Sequence, residues 1–221
     1  MVGTILPIVN GQRLLGKRFT ALRAHAAGCL VGGALIGVAL GVAGAIVPLE
    51  KLPLQRSVLV ALVTGSISLL YSAKEAALIR VPAPQCRWQV PLAWRDRLPH
   101  NVSSLSYGLG LGLGVATRIP VTTIYALLVW SLMVGRPSLT SFVMLTFGLG
   151  RVLPIWLMVR TLETHEQSAR CANGLHRLTK VVHLVNGFAL AGVGSYLLVG
   201  AFGVEQGDLK SGLLLKLFLR G

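Results

Sequence analysis

SLSYGLGLGLGVATRIPVTTIYALLVWSLM, residues Ser104 to Met133, is an apolar run with one permanent cation, Arg118, near its middle and no acidic residue to neutralise it. At 1.5 Å rise per residue the run is long enough to cross the ~30 Å hydrocarbon core of a bilayer as a helix. A second run, Ser138 to Val159, repeats the arrangement around Arg151. Arginine at the centre of a spanning helix costs roughly 2.5 to 3.5 kcal/mol on insertion scales, so it faces a bundle interior, a wet cavity or a partner. Glycine, arginine and proline fall within a turn or two of each other in both runs: Gly114, Thr117, Arg118 and Pro120 in the first, Gly150, Arg151 and Pro154 in the second. Glycine weakens a helix and proline removes a backbone donor, so the helices are expected to break near Pro120 and Pro154. Unwound backbone at membrane depth is tolerated only where protein or a water-filled cavity satisfies it. These seven residues therefore form a candidate mid-membrane site for an anionic ligand such as a carboxylate, sulfite or phosphate-like group, which a guanidinium fork suits. The alternative is that both arginines bond to backbone carbonyls freed by the prolines.

Composition carries the same fold class across the whole chain. With 53% hydrophobic and 13% charged residues and a mean hydropathy of +0.70, a chain of 221 residues is too apolar for a soluble domain. The expectation is an all-α, polytopic transmembrane bundle forming a single membrane domain. Its five full spans lie at about 24–47, 57–79, 104–133, 138–159 and 181–203. Met1 to Val9 is too short to cross and makes an N-terminal half-span, and residues 205–221 form an interfacial tail. A net charge of +14 does not indicate nucleic acid, because the cations flank apolar spans instead of clustering on a soluble face. Arg13, Lys17, Arg18 and Arg23, then Lys74, Arg80, Arg87, Arg95 and Arg97, then Arg160, Arg170, Arg177 and Lys180 fall on one side. The first and third connections, on the other side, carry only Lys51, Arg56 and Arg136, and the tail cations Lys210, Lys216 and Arg220 mildly oppose this asymmetry. The positive-inside rule places the basic N-terminal segment in the cytoplasm of a bacterial inner membrane and the C-terminus in the periplasm.

The first span carries Gly28, Gly32, Gly33, Gly37 and Gly41 in overlapping small-xxx-small spacings. Small residues let membrane helices approach closely, so this helix packs tightly against a neighbour in the same chain or against a second copy. Cys29, Cys86 and Cys171 are widely spaced, giving neither a disulfide framework nor a zinc motif, and no metal is expected. His25 and His183 lie close to helix starts where haem or pigment can be ligated, yet no cofactor motif frames them, so the cofactor is unknown. No Ser-His-Asp order, Walker loop or pair of intramembrane carboxylates supports an enzyme class, and the lack of mid-span acids disfavours a proton-coupled carboxylate relay.

Tyr107 to Pro120, Phe147-Gly-Leu-Gly-Arg-Val-Leu-Pro154 and Val185-Asn-Gly-Phe-Ala-Leu-Ala-Gly-Val-Gly194 resemble, in order, the fourth, fifth and sixth helices of the cytochrome c biogenesis and thiol-disulfide interchange family of the CcdA and DsbD type. Thr4-Ile5-Leu6-Pro7 resembles the end of that family's first cysteine-proline motif. The resemblance implies six helices in two inverted halves that pass reducing equivalents across the membrane. Thr4 and Ile119 stand where the two redox cysteines would be, and neither forms a thiolate. Three functions stay open on this reading: a non-redox transporter or binding protein using Arg118 and Arg151, an accessory subunit of a larger membrane complex, and a thiol relay using other cysteines. The partners expected are the lipid bilayer, membrane proteins or a second copy, and an anionic ligand.

Overall fold

The computed structural model describes residues 15–47, 56–81, 99–114, 122–161 and 165–205. They form six helices: α1 Leu15–Ile46, α2 Arg56–Glu75, α3 His100–Gly112, α4 Thr123–Val134, α5 Pro137–Thr161 and α6 His165–Glu205. Among the described residues there is no strand, and the all-α membrane fold expected from composition is the fold observed. Stretches of α1, α2, α5 and α6 are long and apolar enough to cross a membrane, and α4 is a shorter apolar helix. Polarity is inverted relative to a soluble protein. Phe142, Phe188 and Val199 are 68%, 77% and 68% exposed, whereas His25, Thr140 and Ser131 are 2%, 0% and 0% exposed. Lipid accepts the first group and excludes the second.

The expected third span is two helices. α3 ends at Gly112, Gly114 turns with φ 73°, and α4 begins at Thr123. At Pro154 the outcome differs from expectation: α5 runs unbroken through the proline. Val152 and Ile155 on either side of it are buried against α1 and α3 neighbours, and that packing holds the segment helical despite the lost donor. Met1 to Val9 and the tail after Glu205 lie outside the described residues.

The described contacts group into two compact units. The first contains α1 as far as Ala39, α3, α5 from Ser138 and the start of α6 to Thr179. Here the glycine spacings of α1 divide between two neighbours. A Cβ at Gly28 or Gly32 would meet the backbone of α3 between Leu105 and Leu113, and one at Gly33 or Gly37 would meet the backbone of α5 between Thr140 and Leu145. The α3 face is reciprocal, since Gly108 and Gly112 sit on the α1 backbone at His25, Cys29 and Gly33. Two GxxxG pairs thus cross each other, and with no hydrophobic drive between helices in lipid this close backbone contact supplies the association. Thr140 adds a hydrogen bond from its hydroxyl to the Gly37 carbonyl at 2.7 Å.

The second unit contains the end of α1 from Leu40, α2, α4 and α6 from Lys180. Gly41 is buried in this part of α1. Val58 and Ala61 of α2 pack on Leu197 and Ala201 of α6, and Tyr71 of α2 packs with Ala126 of α4 and Leu190 of α6. Gly65 and Gly194 bring α2 and α6 into backbone contact. Gly135 caps α4 in the left-handed region, φ 61°, against Gly44 and the Arg56 side chain, where a Cβ has neither a favourable φ nor space.

Candidate functional site

Buried polar groups in lipid are costly unless paired, so the pairings show what each unit was built to hold. In the first unit Arg151 donates from Nη1 to the Leu111 carbonyl at 2.9 Å, and its guanidinium lies 5.7 Å from the Phe147 ring centroid. Leu111 is in the last turn of α3, and its carbonyl also accepts from the Gly114 N–H at 3.2 Å. The guanidinium ties α5 to the C-terminal end of α3. His25 donates from Nδ1 to the Ser104 carbonyl at 3.4 Å, which leaves Nε2 to accept from the Cys29 thiol 3.7 Å away. Cys29 is wholly buried.

Arg118, Thr117 and Pro120 lie outside the described residues. Gly150 and Pro154 are exposed on α5, and a Cβ at Gly150 would meet nothing within 4 Å. Of the proposed arginine site, only Arg151 is seen making a polar contact to another helix, and its partner is a main-chain carbonyl. Cys86 and the Cys171 side chain also lie outside the described residues. Among the described residues no group of three His, Cys, Asp or Glu is arranged to hold a metal.

The second unit holds a polar junction that the apolar pattern of the chain hides. Glu75, at the C-terminus of α2, accepts from the Thr122 backbone N–H at 2.8 Å and the Thr122 hydroxyl at 2.6 Å, both on Oε1, while His183 of α6 donates from Nδ1 to Oε2. Its side chain is 2% exposed. A carboxylate at the first turn of α4 also meets the positive end of the helix dipole. Around it, Thr123 donates to Asn186 Oδ1, Ser72 donates to the Gly187 carbonyl at 2.7 Å, and Tyr71 stacks on Tyr125 with centroids 5.2 Å apart. At the opposite end of α2, Arg56 donates to the Met133 and Gly44 carbonyls at 3.2 Å.

Glu75 was missed from sequence because it ends its span beside Lys74, where a carboxylate is usually solvated. The signal was present: Thr64, Ser68, Ser72 and Glu75 recur at helical spacing along one face of an otherwise apolar helix. His183, weighed from sequence as a haem or pigment ligand near a helix start, is the partner of that carboxylate.

Fold and junctions together define a polytopic helical membrane protein whose described buried charges are spent on internal helix-to-helix bonds. Similarity to known proteins is more specific. The chain is 28% identical over 182 residues to methylamine utilization protein MauF of Paracoccus denitrificans, covering 78% of this chain and 64% of that protein. It is 29% identical over 181 residues to the protein of the same name in Methylorubrum extorquens, 80% of this chain and 62% of that one. To the Methylophilus methylotrophus protein it is 30% identical over 171 residues, 77% of this chain and 57% of that one. The chain thus spans less than two thirds of the length of these relatives. No family model matches it, and no solved structure matches it.

These matches overturn the resemblance to the CcdA and DsbD type, and with it the cytochrome c biogenesis and thiol-relay readings. Of the glycines that carried the resemblance, Gly108, Gly112, Gly148 and Gly194 serve close helix packing here, a requirement shared by unrelated membrane folds. Nothing in the relatives' name speaks for transport.

Proposed function

We propose that this chain is a membrane-embedded accessory component of a bacterial methylamine-utilization system. The observation that carries the reading is that the curated relatives share that one name and align over 70 to 80% of the chain, a stretch long enough to include helices of both units. The internal use of its described buried polar groups supports an accessory role over catalysis, because Arg151, His25, Arg56 and Glu75 all have protein partners. Its seat is the inner membrane with the basic N-terminal segment cytoplasmic, supported by the cation asymmetry. Partner proteins are other membrane or enzyme components of the same system.

Deleting the gene in frame from a bacterium that carries it, and growing the strain on methylamine or on ammonium as nitrogen source, tests this. Growth is expected to fail on methylamine alone and to return when the wild-type gene is supplied in trans. Undiminished growth of the deletion strain on methylamine rejects the reading. Alkaline-phosphatase and fluorescent-protein fusions after residues 80 and 136 test the orientation, the first expected inactive as a phosphatase and the second active.

A further inference from the structure

The polar face of α2 runs from Thr64 to Glu75. Thr64, Ser68 and Glu75 are buried on it, and Ser72 bonds across to α6. α2 packs on α4, and two anchors set the register: Arg56 on the Met133 carbonyl at one end, Glu75 on Thr122 at the other. The helices are therefore antiparallel. The two anchor residues of α2 are separated by about 28 Å at 1.5 Å per residue, close to the thickness of the hydrocarbon core.

Between the anchors, three deeply buried side-chain atoms have no hydrogen-bond partner among the described residues: Thr64 Oγ1, Ser131 Oγ and Trp130 Nε1. Their residues are 4%, 0% and 8% exposed. Thr64 lies about 17 Å along α2 from Glu75, and Ser131 about 14 Å along α4 from Thr122, so they fall at one depth to within a helical turn. Near the Glu75 end the Asn186 Nδ2 group is likewise buried and unpartnered. Buried polar atoms are almost always satisfied by protein or by ordered water. Hydroxyls and an indole N–H are groups that ordered water satisfies when protein does not. The Glu75–His183 pair lies at one end of the seam, with the His183 side chain 33% exposed and that of Glu75 2% exposed.

We propose that this seam holds internal water and that the Glu75–His183 pair at its end is a membrane-embedded proton-binding site. A proton from the aqueous phase at this end of α2 adds to Nε2 of His183. Nδ1–H stays on Glu75 Oε2, and the imidazolium formed is neutralised by the Glu75 carboxylate. No electron moves and no other bond changes. The titratable or charged neighbours are Tyr71 and Lys74 on α2, Tyr125 on α4 and Lys180 one turn before His183 on α6, with Lys74 Nζ 5.8 Å from the Tyr71 ring centroid. Arg56 caps the far end of the seam with a fixed cation, which opposes proton passage and makes this a site of storage, not a leak. The inference stands on the geometry of the second unit and does not depend on a role in methylamine utilization.

Infrared difference spectra of the full chain in lipid vesicles, recorded in H2O and D2O across about pH 4 to 8, test both halves. Wild type is expected to show a protonation-dependent imidazole band that is lost in His183→Gln and displaced in Glu75→Gln. It should also show a weakly hydrogen-bonded water band that is lost in a Thr64→Val, Ser131→Ala double variant. Spectra in which wild type and His183→Gln titrate alike overturn the proton site. Absence of the water band from wild type overturns the hydrated seam. Glu75→Gln keeps the carbonyl that accepts from Thr122, and His183→Gln leaves the Thr122 anchor untouched, so the two variants do not share one folding failure.

Discussion

Substituting Gly28 by alanine adds one methyl group to the α1–α3 crossing, and the structure states what that methyl meets. Its Cβ would overlap the Leu105 carbonyl oxygen and sit 2.8 Å from the Leu109 nitrogen and 3.1 Å from the Gly108 carbonyl carbon. All three are backbone atoms, so no rotamer change relieves the clash. The helices must separate by about 1 Å, enough to forfeit a quarter to a half of each dispersion contact along the crossing. Overpacking of this kind costs typically 1 to 3 kcal/mol, a factor of roughly 5 to 150 in the folded population. Alanine returns up to about 1 kcal/mol through better helix propensity, and that gain is the same at any interior helix glycine. Gly150, where an added Cβ touches nothing within 4 Å, supplies the control. Thermal unfolding in mild detergent, followed by fluorescence, should show Gly28→Ala melting several degrees below wild type and Gly150→Ala at or above it, at about 2 to 4 °C per kcal/mol. Equal melting of the two variants refutes backbone-to-backbone packing at this crossing.

Thr140→Val removes the hydroxyl bond to the Gly37 carbonyl at nearly constant volume and should cost about 0.6 kcal/mol, the mean for such bonds in membrane proteins, read as a small fall in detergent melting temperature. Cys29, wholly buried, should resist maleimide in the folded protein and react only as the chain unfolds; rapid labelling at low temperature contradicts the packing described. Arg56→Met leaves the Met133 and Gly44 carbonyls without their donor, and should destabilise by about 1 to 3 kcal/mol in an SDS titration, more than Arg56→Lys does. Pro154→Ala should leave helix content by circular dichroism unchanged within error, because α5 is already continuous there.

Apolar runs, their lengths and the lopsided placement of cations are local properties of a chain. They determined that this protein is helical and built for lipid, and that the span from Ser104 to Met133 does not continue as one helix. Partner identity is not local. Only the tertiary structure decided that Gly28 and Gly32 serve α3 while Gly33 and Gly37 serve α5, because the two faces differ by a rotation that spacing alone leaves unassigned. For Arg151 the sequence left a ligand and a backbone carbonyl both open, and the tertiary structure places the Leu111 carbonyl at the end of α3 beside it. Pro154 looked like a break until buried Val152 and Ile155 on either side kept the helix whole. Glu75 continues a polar stripe with Thr64, Ser68 and Ser72 that is legible in the chain, but only burial by α4 and α6, distant in sequence, turned a terminal carboxylate into the centre of a polar junction. In lipid the hydrophobic effect chooses which segments enter the membrane, and hydrogen bonds and steric fit choose which of them meet.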